Sequence, residues 1–253
     1  MASKEQSVTL LRKNKRAQVE ALNSLGFHLD ESARAADFPM YQQWGSGLLD
    51  VCAAANRKSD NKKFFFSIAE WQSLSASEQD RFLLRGVRVR AFGTSFIIAP
   101  DTINNKEWGT SLNTPDLHYF PGTNHLYSYL DAYEETTLIA QYFEGVTGTV
   151  NGAPAAEAAL AYKAFSEARD GMDDTSQWCL PTMAHLMIMW RCIDEIDEAF
   201  TVLWSSDFKL QRTKHWSCCK YGNNDIYRFS FNTGSGWVES PTTTGSVRPI
   251  CID

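Results

Sequence analysis

The sequence predicts an α+β fold, with helices gathered ahead of a strand-rich tail. Three observations carry that expectation. Tyr227, Phe229 and Phe231 alternate with Arg228 and Ser230, the period-two pattern of a strand with one apolar face. Gly86–Phe92 and Ser95–Ala99 form a second alternating pair, separated by the turn signal Gly93-Thr94. Between these regions, Thr182 precedes an apolar stripe at helical spacing: Leu186, Met189, Ile193, Ile196, Phe200 and Leu203.

Residues 1–60 are expected to form a helical N-terminal segment serving attachment or oligomerisation. Val8, Leu11, Val19 and Leu22 space a helix over Glu5–Leu25, which Gly26 stops, and a second helical piece is expected over Leu48–Asn56. The basic run Arg12–Arg16 lacks interleaved aromatics and reads as a solvated helix face. The polar break Ser59–Lys63 sets a domain boundary, so the binding domain is expected to span 61–253.

Phe64-Phe65-Phe66 begins that domain as a strand. Ser67 with Glu70, and Ser75 with Glu78, have the spacing of two capping boxes, with Trp71, Leu74, Phe82 and Leu83 anchoring short helices. The hairpin 86–99 follows, closed by Pro100-Asp101. Residues 101–130 are rich in Asn, Thr, Pro and Tyr and lack periodicity, so a long ordered loop is expected. Pro154 suits the first turn of a helix running to Phe165. The helix capped by Thr182 ends at Trp204–Asp207.

Composition restricts the function classes. The 253 residues include 43% hydrophobic and 13% aromatic side chains, with eight tryptophans, enough for a sizeable core and for aromatic contacts at a binding surface. The formal charge of -6 is uneven. Residues 1–63 hold ten Lys/Arg against seven Asp/Glu, and the remainder fourteen against twenty-three, which argues against nucleic acid as partner. No stretch approaches the roughly twenty apolar residues of a membrane span. The opening Met-Ala-Ser-Lys-Glu-Gln lacks the apolar run of a signal peptide, so synthesis in a cytoplasm is expected.

The residues capable of catalysis are not arranged for it. Cys52, Cys179, Cys192, Cys218, Cys219 and Cys251 show no zinc-ligand spacing and read as free buried thiols. His28, His118, His125, His185 and His215 lack the His-Glu-x-x-His pattern, and His185 reads as a packed or capping residue. Asp194, Glu195, Asp197 and Glu198 scatter around a helix and read as a solvated face. Catalytic residues, metal and cofactor are each expected to be none.

In order, the blocks Trp178-Cys179-Leu180-Pro181-Thr182, Trp216-Ser217, Ile226–Phe231 with Gly234, and Val247-Arg248-Pro249 resemble the C-type-lectin-fold target proteins of diversity-generating retroelements. The similarity covers residues 150–253 best, and related domains of the formylglycine-generating type share the pattern. It implies a C-type-lectin-like (formylglycine-generating-enzyme-type) domain with a variable C-terminal surface. That surface would bind a host-surface or other protein or glycan receptor, in a virion tail or cell-surface protein of phage or prophage origin. A homo-trimer is implied by the same analogy. The alternative is a formylglycine-generating-type enzyme, in which Cys218-Cys219 would hold a metal, or another catalytic protein of the C-type-lectin fold. One departure is Cys218, where the family usually has a second serine.

For a binding module, the expected ligand-contacting face comprises Lys220, Tyr221, Asn223, Asn224, Arg228, Ser230, Trp237 and Glu239. Trp216, Tyr227, Phe229, Phe231 and Arg248 would be scaffold, with Arg248 hydrogen-bonded to carbonyls or a carboxylate because a bare buried guanidinium is untenable. The strand 247–251 is expected to pair near the start of the domain.

Overall fold

The computed structural model describes residues 49–109, 126, 129–147, 152–222 and 225–252. The expected helix at Glu5–Leu25, and any oligomerising role it has, lie outside these residues.

The first strand, β1 (Asp50–Arg57), falls where the second helical piece is expected. Three consecutive alanines favour a helix locally, yet Ala53, Ala54 and Ala55 are all fully buried between two neighbouring strands. Small side chains on both faces suit the middle of a covered sheet, and tertiary packing overrides the propensity. Because β1 is built into the main sheet, the boundary expected at 59–63 is a hairpin turn, and the ordered unit already includes Asp50. Its partners are β2 (Lys63–Ser67) and β3 (Phe82–Ala91).

Between β2 and β3 lie α1 (Ile68–Ser73) and α2 (Ala76–Gln79), each opened by a reciprocal capping box: Ser67 with Glu70, and Ser75 with Glu78. Strand β4 (Thr94–Ile98) returns from β3 through Phe92-Gly93, both with positive φ (53° and 78°), the geometry of a primed hairpin turn. A strand not anticipated within the 101–130 loop, β5 (Ile103–Glu107), follows.

The helical layer contains α3 (Ala132–Thr147), α4 (Pro154–Leu160) with Pro154 in its first turn, and α5 (Glu167–Asp170). After the short β6 (Trp178–Cys179), the Thr182-capped stripe is divided at Cys192 into α6 (Met183–Arg191) and α7 (Ile193–Leu203). The tail supplies β7 (Lys214–Lys220), β8 (Ile226–Ser230), β9 (Ser235–Glu239), β10 (Thr244–Val247) and β11 (Ile250–Ile252).

Two sheets result, with strand orders β2-β1-β3-β4-β11-β6 and β5-β10-β7-β8-β9. Strand β11 pairs with β4 and β6, not with β1. The C-terminal strand therefore joins the sheet that opens the domain, separated from β1 by β3 and β4. Helix α6 packs on β7 and β8, while α7 packs on β1 and β3, so one core spans both sheets.

Several buried polar groups are pinned. The indole of Trp108 donates to the Ser217 carbonyl (2.9 Å), that of Trp216 to Lys106 (2.8 Å) and that of Trp178 to the Asp174 carboxylate (2.7 Å). Arg248 lies over Phe200, donating to the Phe208 carbonyl and the Thr102 hydroxyl, each at 2.8 Å. Burial lowers its pKa to about 10, and these contacts offset the cost of enclosing the charge. Asp197 departs from the solvated face expected of its helix. It is buried, accepting from the Leu210 amide and pairing with Arg212 (2.7 Å), which ties α7 to the segment entering β7.

Candidate functional site

The sequence places its candidate residues on β7, β8, β9 and the loop between β7 and β8. In antiparallel strands, directly opposed residues share a face. Trp216 opposes Arg228, and Arg228 opposes Trp237, so these three form one row across the sheet. Lys214, Ser230, Ser235 and Glu239 lie on the same face by period two. The reverse face carries His215, Tyr227 and Phe229, with Phe229 edge-on to Trp190 of α6 (6.5 Å).

The outer row is a ladder of alternating charge and aromatic surface. The Arg228 guanidinium lies 4.4 Å from the centre of the Trp216 ring, and the Lys214 ammonium 4.4 Å from that of Trp237. Glu239 bridges the two cations, accepting from both Lys214 and Arg228. Arg228 also donates to the Lys214 carbonyl (3.1 Å). Burial alone raises the Glu239 pKa. The hydrogen bonds and positive field of Lys214 and Arg228 outweigh it and leave the carboxyl below its ordinary range. At Gly245 of β10 the backbone comes so close that a Cβ would stand 2.5 Å from an Arg228 nitrogen and 2.8 Å from the Trp216 indole nitrogen.

This packing divides the expected binding residues. Trp237 (47% exposed) and Tyr221 (41%) face solvent as expected, joined by Val238 (39%), which the sequence reading did not single out. Arg228 (6%), Ser230 (6%) and Lys220 (3%) do not: they are buried, and Arg228 belongs to the scaffold with Trp216. For Arg228 the cause is the cover supplied by β10 through Gly245 and by the Glu239 bridge. Glu239 itself is half-buried, its charge turned inward to the two cations. Asn223 and Asn224 lie outside the described residues. Lys214 was missed, although its place two residues before Trp216 put it on the same face.

The loops flanking this face are short and tied. Tyr221 and Gly222 both donate from their amides to the Asp225 carbonyl (2.9 and 3.2 Å), closing the turn out of β7. Tyr221 sits edge-on to Tyr227 at 5.4 Å. Between β8 and β9, Gly234 has φ +68°, and its Cα lies against the Trp190 indole, leaving a Cβ only 2.2 Å from the ring. The Ser217 hydroxyl donates to the Tyr227 carbonyl (2.8 Å) and accepts from the Cys219 amide (3.1 Å), filling the irregularity in the β7–β8 register.

Among the described residues, the cysteine thiols and the histidine rings are deeply enclosed. Burial pushes the Cys218 thiol well above its ordinary pKa, an effect reinforced by its hydrogen bond with Cys219, and both side chains are fully buried. A metal-binding or nucleophilic thiolate needs the opposite environment. His185 caps α6, with Nδ1 2.8 Å from the Thr182 hydroxyl and its ring edge-on to Phe96. Burial lowers the pKa of His185, and of His215 beside Phe231, to about 3, so both stay neutral. A separate cleft of about 420 Å³ is lined by Trp71, Phe82, Phe165 and Trp204, together with Asp101 and Asp170.

No family model matches the chain, and no curated protein matches it. Among solved structures, it is similar to a fimbrial protein from Bacteroides ovatus, at 11% identity and a TM-score of 0.45. The similarity covers 62% of this chain and 35% of that one, so the chain spans about a third of that protein's length. Among the described residues, no helix is long and apolar enough to cross a membrane.

Proposed function

We propose that this protein is a non-enzymatic receptor-binding module of C-type-lectin-like type, which recognises a protein or glycan receptor with the outer face and rim of β7–β9. The observation that carries this reading is Trp237. A large aromatic ring stands 47% exposed on a strand, backed by an ammonium and held in a row whose other members are buried. Leaving such a ring in water is unfavourable unless contact with a partner later removes it from water, and tryptophan concentrates binding energy at interfaces. Two further apolar side chains are exposed nearby: Tyr221 in the turn leaving β7, edge-on to Tyr227, and Val238 on the face of β9 opposite Trp237. Saccharide rings and apolar protein side chains both fit a flat indole flanked by hydroxyls such as Ser235, which accepts from the Trp237 indole at 3.1 Å.

The resemblance to retroelement target proteins leads us further, to a phage or prophage protein whose C-terminal surface is diversified. The diversified set is then narrower than the sequence implies: Tyr221, Trp237, Val238 and the adjoining turns, with Arg228, Ser230 and Lys220 held constant as scaffold. A formylglycine-generating-type oxidase finds no support in the fully buried Cys218-Cys219 pair.

Sequencing this locus across many isolates, with any adjacent template repeat and reverse-transcriptase gene, tests the reading. Substitutions concentrated at Tyr221, Trp237 and Val238, with Trp216, Arg228 and Phe229 unchanged, are expected. Variation as frequent at Arg228 and Phe229 as at Trp237 would overturn it.

A further inference from the structure

Among the described residues each sheet has two edges, and three of the four carry devices that disfavour pairing with another chain. Strand β6 is only two residues long. Strand β2 begins with the charged Lys63, while Arg57 of β1 and Arg88 of β3 lie over its Phe64 and Phe65 rings at 5.0 and 4.3 Å. Strand β5 is broken by Asn105 with φ +57°, carries Lys106, and shifts register against β10. Strand β9 carries none of these devices. Its five residues, Ser-Gly-Trp-Val-Glu, contain neither proline nor a basic residue, and they pair with β8 in unbroken register from Ser235 to Glu239. Its one charge, Glu239, is turned inward and neutralised by Lys214 and Arg228. Two apolar side chains, Trp237 and Val238, stand exposed on opposite faces of it.

We infer that β9 is an interaction edge and that its occupant is β9 of a second copy of this chain, paired antiparallel about Trp237. The strand is complementary to itself in that register. Trp237 meets Trp237 of the second copy, an aromatic cross-strand pair of the stabilising kind. Gly236 faces Val238, a vacant position against a branched side chain. Ser235 faces Glu239, whose charge Lys214 and Arg228 already neutralise, so no like charges are opposed. A two-fold axis through residue 237 satisfies both copies with one surface, as closed dimers require. The five-stranded sheets join into one, and the outer faces merge so that both Trp237 rings lie side by side on a shared platform. If this face binds receptor as proposed above, each site gains the ring of the second copy, although the pairing itself does not depend on that reading. Five residues make a small interface, so association depends on concentration.

Cross-linking tests the register directly in the full-length protein. All six native cysteines are buried, so an introduced thiol reports on the surface alone. Opposed residues in antiparallel strands have Cα atoms roughly 4.5–5.5 Å apart, within the range a disulfide spans. With copper-phenanthroline as oxidant, Trp237→Cys is expected to convert mostly to a covalent dimer. Ser235→Cys, whose opposite residue is Glu239, is expected to remain uncross-linked. Light scattering across a hundredfold concentration range is expected to show the wild-type mass rising by one copy, and Val238→Lys, which places a charge on the edge, abolishing that rise. Circular dichroism verifies that each variant is folded. A mass independent of concentration and of Val238→Lys, or equal cross-linking at 235 and 237, overturns the inference. Receptor binding is measured separately on the wild type, so loss of the dimer and loss of the binding role are distinguishable.

Discussion

Replacing Arg228 with alanine separates a scaffold residue from a displayed one. The guanidinium is almost fully enclosed, stacked on Trp216, paired with Glu239 and bonded to the Lys214 carbonyl. Removing one member of a buried ion pair costs roughly 3–5 kcal/mol because the other charge is left uncompensated. Here Glu239 keeps Lys214 as a second partner, which lowers that figure, while the uncovered Trp216 face adds about 0.5–2 kcal/mol from the lost cation–π contact. A net loss of about 2–4 kcal/mol is expected. Trp237→Ala, by contrast, removes an exposed ring and should change stability by about 0.5 kcal/mol or little more. Urea unfolding followed by far-ultraviolet circular dichroism measures both. With a slope of roughly 2–3 kcal/mol per molar urea, Arg228→Ala should lower the midpoint by about 1 M and leave the slope unchanged. A double-mutant cycle with Glu239→Gln should give a coupling of about 0.5–3 kcal/mol. If Arg228→Ala unfolds within about 0.5 kcal/mol of wild type, the guanidinium is a surface group and the ladder contributes no stability.

Other outcomes follow from the same packing. Gly245→Ala places a methyl against the pinned Arg228 and Trp216 nitrogens, and overpacking there should cost about 1–3 kcal/mol in the same unfolding assay. Thr182→Ala removes the α6 cap and the partner of His185 Nδ1, and a loss of about 1–2 kcal/mol is expected by thermal denaturation. Acid should destabilise the fold in a defined window. His185 and His215 have folded pKa values of about 3, below the unfolded value near 6.5, so the unfolded chain binds more protons between these limits. Stability is complete above about pH 6.5 and falls as pH drops toward 3, by up to about 1.4 kcal/mol per pH unit for each histidine. Glu239 adds to the loss below its ordinary pKa, since its folded value is lowered. Unfolding measured from pH 7.5 to 4.5 should show this slope, reduced by about half in His185→Gln.

Much of the fold was legible because its signals are local. A capping box is a three-residue spacing, and Ser67–Glu70 and Ser75–Glu78 formed where the spacing placed them. The 86–99 hairpin needed only alternation and a turn. Strand β1 was not legible, because an alanine run says helix until two covering strands are known. Helix α3 gave too weak a pattern to stand out within its surroundings. The candidate site shows the limit most clearly. Period two correctly grouped Arg228 with Ser230 and opposed both to Phe229. It could not say whether the second face was covered, since that depends on Gly245 and Glu239, which reach Arg228 only through the fold. Trp237 and Tyr221 stayed exposed because β9 ends its sheet and Tyr221 lies in the turn leaving β7.

The central claim is that one sheet combines a fixed ladder with a permissive binding rim. A saturation library over residues 214–240, displayed on cells and sorted for protease resistance, tests it position by position. Tyr221, Trp237 and Val238 are expected to accept most substitutions, while Trp216, Arg228, Phe229, Gly234 and Glu239 accept few. Equal tolerance at Arg228 and Trp237, or intolerance centred on Trp237, would contradict the division between scaffold and display.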